Sequence, residues 1–434
     1  MYWLENSETD VRQNDLYINK IDWLSILLYG ALVMIGWFNI YAAVYDEQAA
    51  KSIFDFSINS GKQLVWIGTA VLLITVIMVA DYRLFDNLSL ILYGIFLLIL
   101  LLTPFIGKEI NGQRAWFEIG PFRLQPGEFA KFATALALAK FIEKPSFDLS
   151  RPKFQFQAIL IIMLPVSLIM LQPDTGTAMV YMAFFIMLYR EGMPQKYYVF
   201  ALVFIAISLL SLAVDNNLYI ALPVAGLTLV LILMGKKNWQ RIVTLCMIGI
   251  AIIAYSYSLD LVVSKLPQHQ QNRIMVLFNP DIDPLGVGWN VTQSKIAIGS
   301  GGFWGKGYLE GTQTKFDFVP EQHTDFIFCT LGEEFGWIGS LIVVLLFVAL
   351  LIRLVFLAER QKTRFSRVYG YCVISILLFH FMINISMTIG LFPVVGIPLP
   401  FFSYGGSSLW SFTILLFIFI KLDSHRIQLL GRMN

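Results

Sequence analysis

Ile338-Gly-Ser-Leu-Ile-Val-Val-Leu-Leu-Phe-Val-Ala-Leu-Leu-Ile-Arg-Leu-Val-Phe-Leu-Ala358 is the stretch whose reading fixes the class of fold. About 20 apolar residues, each rising about 1.5 Å along a helix, cross a hydrocarbon core about 30 Å thick. The run has that length and very little polar content, so it reads as a transmembrane helix. Comparable runs lie near 22–44, 63–80, 88–107, 127–143, 154–172, 176–192, 197–214, 217–235, 240–260, 368–390 and 403–422, with 127–143 and 176–192 the shortest. The expectation is an all-α polytopic membrane protein of about 10–12 transmembrane helices. It forms a single membrane domain over 1–434, with a large extracytoplasmic loop at 261–337.

Composition agrees with the runs. Of 434 residues, 57% are hydrophobic and 14% charged, against about 25% charged in a soluble domain. A mean hydropathy of +0.69 leaves too little polar surface to cover water-soluble cores, so the apolar excess faces lipid. The 31 basic and 29 acidic residues leave a net charge of +2, without the single-sign field that nucleic-acid binding needs, and DNA and RNA drop out as partners. Cys246, Cys329 and Cys372 form neither an even disulfide set nor a C-x-x-C pair, which argues against a disulfide scaffold and against structural zinc. Glu5, Glu8, Asp10 and Asp15 precede the first apolar run, the wrong pattern for a cleaved signal peptide, so that run is expected to be retained as a span.

Basic residues in short loops set the orientation. Arg151 and Lys153, then Lys196, Lys236 and Lys237, then Arg360, Lys362, Arg364 and Arg367, then Arg426 and Arg432 fall on one side of the counted spans. That side is assigned to the cytoplasm, and an even count puts both termini there. Segments 108–126, 261–337 and 391–402 then lie outside, and they are rich in Gly, Pro and aromatic residues. The segment 261–337 is far longer than a structureless connection, and Trp289, Phe303, Trp304, Tyr308 and Phe316 separate it from disordered linkers. It reads as a folded or membrane-skimming substructure at the outer interface, where Trp and Tyr are favoured.

The most informative string is Val319-Pro-Glu-Gln-His-Thr-Asp-Phe-Ile-Phe328. Asp325 stands where the chain re-enters the membrane, and partial desolvation there suits a carboxylate to general-base work. The alternative is that it caps the following helix. His323 and Glu321 make a weak metal signal, since zinc sites show more His or Cys ligands. His269, His380 and His425 are scattered and read as structural.

Ala297-Ile-Gly-Ser-Gly-Gly-Phe-Trp-Gly-Lys-Gly307 matches no nucleotide-binding loop. Its glycines admit either close backbone approach to a ligand, with Lys306 on a phosphate, or a set of tight turns. In Asn111-Gly-Gln-Arg-Ala-Trp-Phe117, Arg114 offers a fork suited to phosphate and Trp116 a face for a sugar ring or for the headgroup region. Glu128 and Lys131, at i and i+3 inside a span, can pair, and such residues face a cavity or the bundle interior. Asp174, in Leu171-Gln-Pro-Asp-Thr-Gly-Thr177, reads as the cap of the next helix. Gly390–Ser408, with three prolines and a Tyr-Gly-Gly-Ser-Ser turn that follows Ser403, is irregular backbone at membrane depth and should line a cavity on the same face as Asp325.

Five of these strings, Gly112–Lys131, Gln172–Ala178, Asn279–Gly307, Phe318–Gly336 and Asn384–Ser408, together resemble the shape, elongation, division and sporulation (SEDS) family of bacterial membrane proteins. Gly311-Thr-Gln, Pro320-Glu-Gln-His-Thr-Asp-Phe and Pro393-Val-Val-Gly-Ile-Pro-Leu-Pro look like its rod-elongation branch. The resemblance implies a peptidoglycan glycosyltransferase in the bacterial cytoplasmic membrane. Such an enzyme polymerises lipid II into a nascent glycan strand and works with a class B penicillin-binding protein, a transpeptidase. The family's essential Asp falls on Asp325, its outer-loop Trp on Trp116, and its buried Glu and Lys on Glu128 and Lys131. Around Asp325, the residues expected to touch substrate are Arg114, Trp116, Glu128, Lys131, Lys306, His323, Thr324 and Ser403. One departure stands out: three runs over 197–260 occupy the place where the family pattern has about one, so two spans are extra.

A lipid diphosphate leaving group needs charge stabilisation more than a protonating acid, so one carboxylate suffices as base for the acceptor hydroxyl. No certain cofactor is implied, although a divalent cation, Mg or Mn, can accompany the diphosphate. The rival reading is a flippase for lipid-linked sugars, which would also show many spans, an intramembrane charge pair and Gly/Pro-interrupted segments. Against it, the suspect residues crowd on one face. A third reading is a non-catalytic scaffold whose outer loops recruit a partner.

Overall fold

The computed structural model describes residues 21–47, 51–110, 112–120, 122–214, 216–235, 238–279, 282–283, 286–316 and 318–426. The expectations placed on Glu5, Glu8, Asp10, Asp15, Lys236, Lys237 and Arg432 lie outside them.

In chain order the helices are α1 (Trp23–Ala43), α2 (Asn59–Val79), α3 (Tyr82–Asn87), α4 (Ser89–Ile106), α5 (Pro126–Ile142), α6 (Pro152–Met170), α7 (Thr175–Val180) and α8 (Ala183–Arg190). They continue with α9 (Gln195–Ala213), α10 (Leu218–Leu233), α11 (Trp239–Ser264), α12 (Gln268–Met275), α13 (Val287–Ser300), α14 (Thr312–Lys315), α15 (Ile327–Glu359), α16 (Arg364–Thr388) and α17 (Gly406–Ser424). Among the described residues, nine of these helices are long and apolar enough to cross a membrane. Every apolar run of the sequence is helical. The run 176–192, however, is divided between α7 and α8, and 217–235 yields the shorter apolar helix α10.

The segment 261–337, read from the sequence as a folded or membrane-skimming substructure, contains the end of α11, then α12, α13, α14 and the first turns of α15. Within 108–126 the chain forms a three-stranded antiparallel sheet of β1 (Lys108–Ile110), β2 (Gln113–Ile119) and β3 (Phe122–Leu124), in that order. In β2, Ala115 is buried on one face of the strand, while Arg114, Trp116 and Glu118 share the other, with Arg114 and Glu118 exposed and Trp116 half-buried.

The chain divides into two compact units. The first comprises Met1–Met193, Gln293–Ile389 and Val395–Asn434; the second comprises Pro194–Thr292 and Gly390–Val394. The second unit holds the three runs that depart from the family pattern. There Ser208 Oγ and Tyr255 OH lie 2.8 Å apart, and Ser211 Oγ donates to the Ser256 carbonyl at 3.2 Å, tying α9 to α11.

In the first unit the core is built on α5, α16 and α17. Helix α5 is buried on nearly all sides, because Ala130, Ala133, Ala135, Ala137 and Ala139 let neighbouring helices approach closely. Peripheral helices show the opposite pattern. On α4, Leu90, Ile91, Leu98 and Leu101 are exposed, as suits a surface solvated by acyl chains.

Helix α15 is broken at Gly336, whose φ of 63° and ψ of −156° are open essentially to glycine alone. The break is repaired by the glycine-rich run. The amides of Trp337 and Ile338 donate to the carbonyls of Gly302 (2.9 Å) and Phe303 (3.3 Å). In return, the carbonyls of Glu333 and Glu334 accept from Lys306 (3.1 Å) and Gly307 (3.0 Å). Four backbone hydrogen bonds thus replace those a continuous helix would make, as buried backbone at membrane depth requires.

Candidate functional site

The strip carrying Asp325 is fastened residue by residue. Gln322 Nε2 donates to the carbonyls of Ala43 (2.8 Å) and Thr314 (2.7 Å). The Tyr404 amide donates to the His323 carbonyl at 3.0 Å, and Ser403 Oγ to the Thr324 carbonyl at 2.7 Å. Asn384 Nδ2 donates to the Asp325 carbonyl at 2.8 Å, and Asn39 Nδ2 to the Ile327 carbonyl at 3.0 Å. Asp325 itself is half-buried. Its carboxyl lies against Gly396, where an added Cβ would come within 3.2 Å of Asp325 Oδ2. The N-cap of α15 is Phe326, whose side chain makes no capping hydrogen bond.

Ser403, expected to touch substrate, is buried and positions backbone instead, since its Oγ also accepts from the Leu399 amide at 2.9 Å. Thr324 is half-buried, and its hydroxyl donates to Glu321 Oε2 at 3.0 Å. The half-buried His323 ring lies 5.6 Å from that of Tyr404.

Below this strip a polar chain runs through the core. Lys131 is fully buried, 2.8 Å from Glu128 Oε2 and 3.1 Å from His380 Nε2, with the Phe412 ring centroid 4.8 Å away. His380 Nδ1 lies 3.1 Å from the Pro398 carbonyl. A carbonyl only accepts, so Nδ1 carries the proton and Nε2 accepts from the ammonium. Glu128 and Lys131 therefore meet each other and α16. Asp174 caps α7 by accepting from the Thr177 amide at 3.1 Å, as its sequence context suggested, and also takes Gln125 Nε2 at 2.6 Å.

The sheet is attached to the same end of the bundle. Ser407 Oγ donates to the Arg123 carbonyl at 2.8 Å and accepts from the Gln125 amide at 3.2 Å. Arg114 is exposed and pairs with Glu109 at 3.0 Å. Trp116 stands opposite Lys108 in the β1–β2 register. Outside the spans, hydrogen bonds from Lys108 and Arg123 hold the Glu118 carboxyl below its usual range, Lys108 contributing more.

Lys306, expected at a phosphate, sits with its ammonium 2.7 Å from Glu333 Oε1 and 2.6 Å from Thr312 Oγ1. Glu333 is fully buried and accepts from the amides of Thr312 (2.8 Å), Gln313 (2.9 Å) and Thr314 (2.9 Å). The glycine run thus acts as a splint for α15, with Lys306 and Glu333 shaping the approach to α14.

The site also contains Asn39, Glu333, His380 and Asn384, to which the reading of the sequence gave no role in the site. His380 and Asn384 did carry a signal: polar residues at i and i+4 inside a span are costly in lipid and face a cavity or a partner.

With this geometry in place, the comparisons are specific. The family model for the cell cycle proteins FtsW, RodA and SpoVE matches residues 22–210 and 194–428, two stretches that overlap over 194–210. The chain is a multi-pass membrane protein and belongs to that family. It is 32% identical to "Peptidoglycan glycosyltransferase RodA" of Treponema pallidum (strain Nichols), covering 94% of this chain and 99% of the relative. It is 33% identical to "Peptidoglycan glycosyltransferase MrdB" of Escherichia coli (strain K12), over 79% of this chain and 80% of that one. A chain solved in work on "Structural coordination of polymerization and crosslinking by a peptidoglycan synthase complex" superposes with a TM-score of 0.69 at 27% identity, covering 94% of this chain and 99% of that chain.

Proposed function

We propose that this protein is a peptidoglycan glycosyltransferase that polymerises lipid II at the outer face of a bacterial cytoplasmic membrane, for wall elongation and maintenance of cell shape. Asp325 is its general base. The observation that carries this reading is the strip 322–327, whose backbone is pinned from α1, α16 and 403–404 while the Asp325 carboxyl stays half-exposed beside Gly396. A base needs that combination of fixed position and access.

In the reaction, the carboxylate takes the proton of the acceptor GlcNAc 4-hydroxyl. The oxygen bonds to the anomeric carbon of the donor disaccharide, and the bond from that carbon to the lipid diphosphate breaks. The leaving diphosphate takes the electron pair, so cations stabilise it better than an acid does. Arg114, exposed in the sheet, is the side chain assigned to it, and Trp116 offers its face to a sugar ring. Lys306, already paired with Glu333, contributes indirectly by shaping the loop. Mg or Mn enters this reading as the counter-ion of the diphosphate.

The orientation rests on the helix ends. Ionic clusters such as Arg364 and Arg367 on Glu191, and Arg360 on Asp423, gather at the end opposite Asp325, which suits a cytoplasmic face with both termini there. A class B penicillin-binding protein is the crosslinking partner, supported by the likeness to a chain studied in a synthase complex.

The test is polymerisation of lipid II by the purified protein with its partner. Asp325→Asn is expected to lower turnover by about 10²–10⁴-fold without unfolding the protein. Wild-type polymerisation by that variant would refute the assignment. Transbilayer movement of lipid II with no lengthened product would identify a flippase instead.

A further inference from the structure

We propose that Asn384 is the positioning residue of this site, setting the Asp325 carboxyl by clamping together the segment that carries it and the segment that faces it. The proposal rests on the glycosyltransferase reading above.

Asn384 is fully buried on α16. A primary amide has two N–H donors, and both are engaged, one on the Asp325 carbonyl at 2.8 Å and the other on the Ile397 carbonyl at 2.7 Å. The two carbonyls belong to segments far apart in the chain, and a single planar group fixes their separation. Gly396, the neighbour of Ile397, is the residue against which the Asp325 carboxyl lies. Its φ of 74° admits the close approach at little steric cost. Any shift of the amide therefore moves the carboxyl and the backbone beneath it relative to each other.

The same face of α16 extends the clamp. One turn earlier, His380 holds the Pro398 carbonyl at 3.1 Å, so two consecutive carbonyls, of Ile397 and Pro398, are held from residues at i+4 and i. Asn384 Oδ1 accepts no hydrogen bond from any described residue. The amide leaves its own acceptor bare but satisfies two backbone carbonyls, so what it supplies to this site is the pair of donors.

The experiment uses the full chain with its partner and compares Asn384→Leu, Gly396→Ala, Asp325→Asn and the double variant Asp325→Asn/Asn384→Leu. Asn384→Leu keeps the number and branching of the side-chain heavy atoms and removes both donors. Gly396→Ala disturbs the same carboxyl from the other side and carries the test if Asn384→Leu does not fold. The expected result is a fall in kcat of about 10–100-fold for each single replacement at 384 and 396, with KM for lipid II within about 3-fold of wild type. The double variant should be no slower than Asp325→Asn alone, because Asn384 acts through that carboxyl.

A folded Asn384→Leu protein with wild-type kcat, beside an inactive Asp325→Asn, overturns the positioning role and leaves the general base standing. So does a loss at 384 that multiplies fully onto the residual rate of Asp325→Asn. Wild-type turnover by Asp325→Asn removes the general base itself, and the positioning role with it.

Discussion

Lys131 and Glu128 lie at 0% and 4% exposure, with their charged groups 2.8 Å apart. Each ion is tolerable in the core only because the other is there, and His380 and the Phe412 ring complete the ammonium's shell. Removing one partner leaves an uncompensated buried charge. Lys131→Met and Glu128→Gln are each expected to cost about 3–5 kcal/mol of stability, read by thermal unfolding in detergent. The double replacement should recover most of that loss, and simple additivity of the two would show the pair to be uncoupled. Glu333 follows a different logic. Its carboxylate closes three amides and a lysine, so Glu333→Gln should loosen the turn before α14, seen as faster proteolysis within 306–316, while α15 persists.

Helix α15 is the element in which local propensity and tertiary context pull apart. Its residues favour a continuous helix, yet Gly336 bends it and the 301–307 run supplies the missing hydrogen bonds. Gly336→Ala would place a Cβ 2.3 Å from the Gly305 amide nitrogen, in a conformation that costs an alanine about 1–3 kcal/mol before the clash is counted. Gly299 is the contrasting position. It lies within helical α13 with open space where a methyl would be added, so Gly299→Ala should be neutral or stabilising by up to about 1 kcal/mol. Melting temperatures of the two variants in one detergent check the contrast. Equal effects would mean that the break in α15 is not held by the glycine run.

On the scale of the whole molecule, α15 carries the chain from exposed Glu321, just before it, to exposed Lys362, just after it. If the helix crosses the bilayer, these two positions lie on opposite faces. In a background in which Cys246, Cys329 and Cys372 are replaced, Glu321→Cys should react with an impermeant maleimide in intact cells, and Lys362→Cys only after permeabilisation. The reverse labelling pattern would place Asp325 on the wrong side for its substrate. Much of this architecture was legible in the sequence. The length of an apolar run against the thickness of a bilayer is a local property, and each such run became helix. The string around Asp325, the Glu128/Lys131 pair and the Asp174 cap were likewise local signals. Tertiary structure alone decided that Lys131 meets His380, that Lys306 serves Glu333, that Asn384 grips Asp325, and that residues 301–307 splint α15. These are hydrogen bonds and ion pairs between segments tens to hundreds of residues apart. Periodicity and spacing along one chain describe a residue's near neighbours, whereas buried polar groups in lipid must find partners wherever the fold brings them.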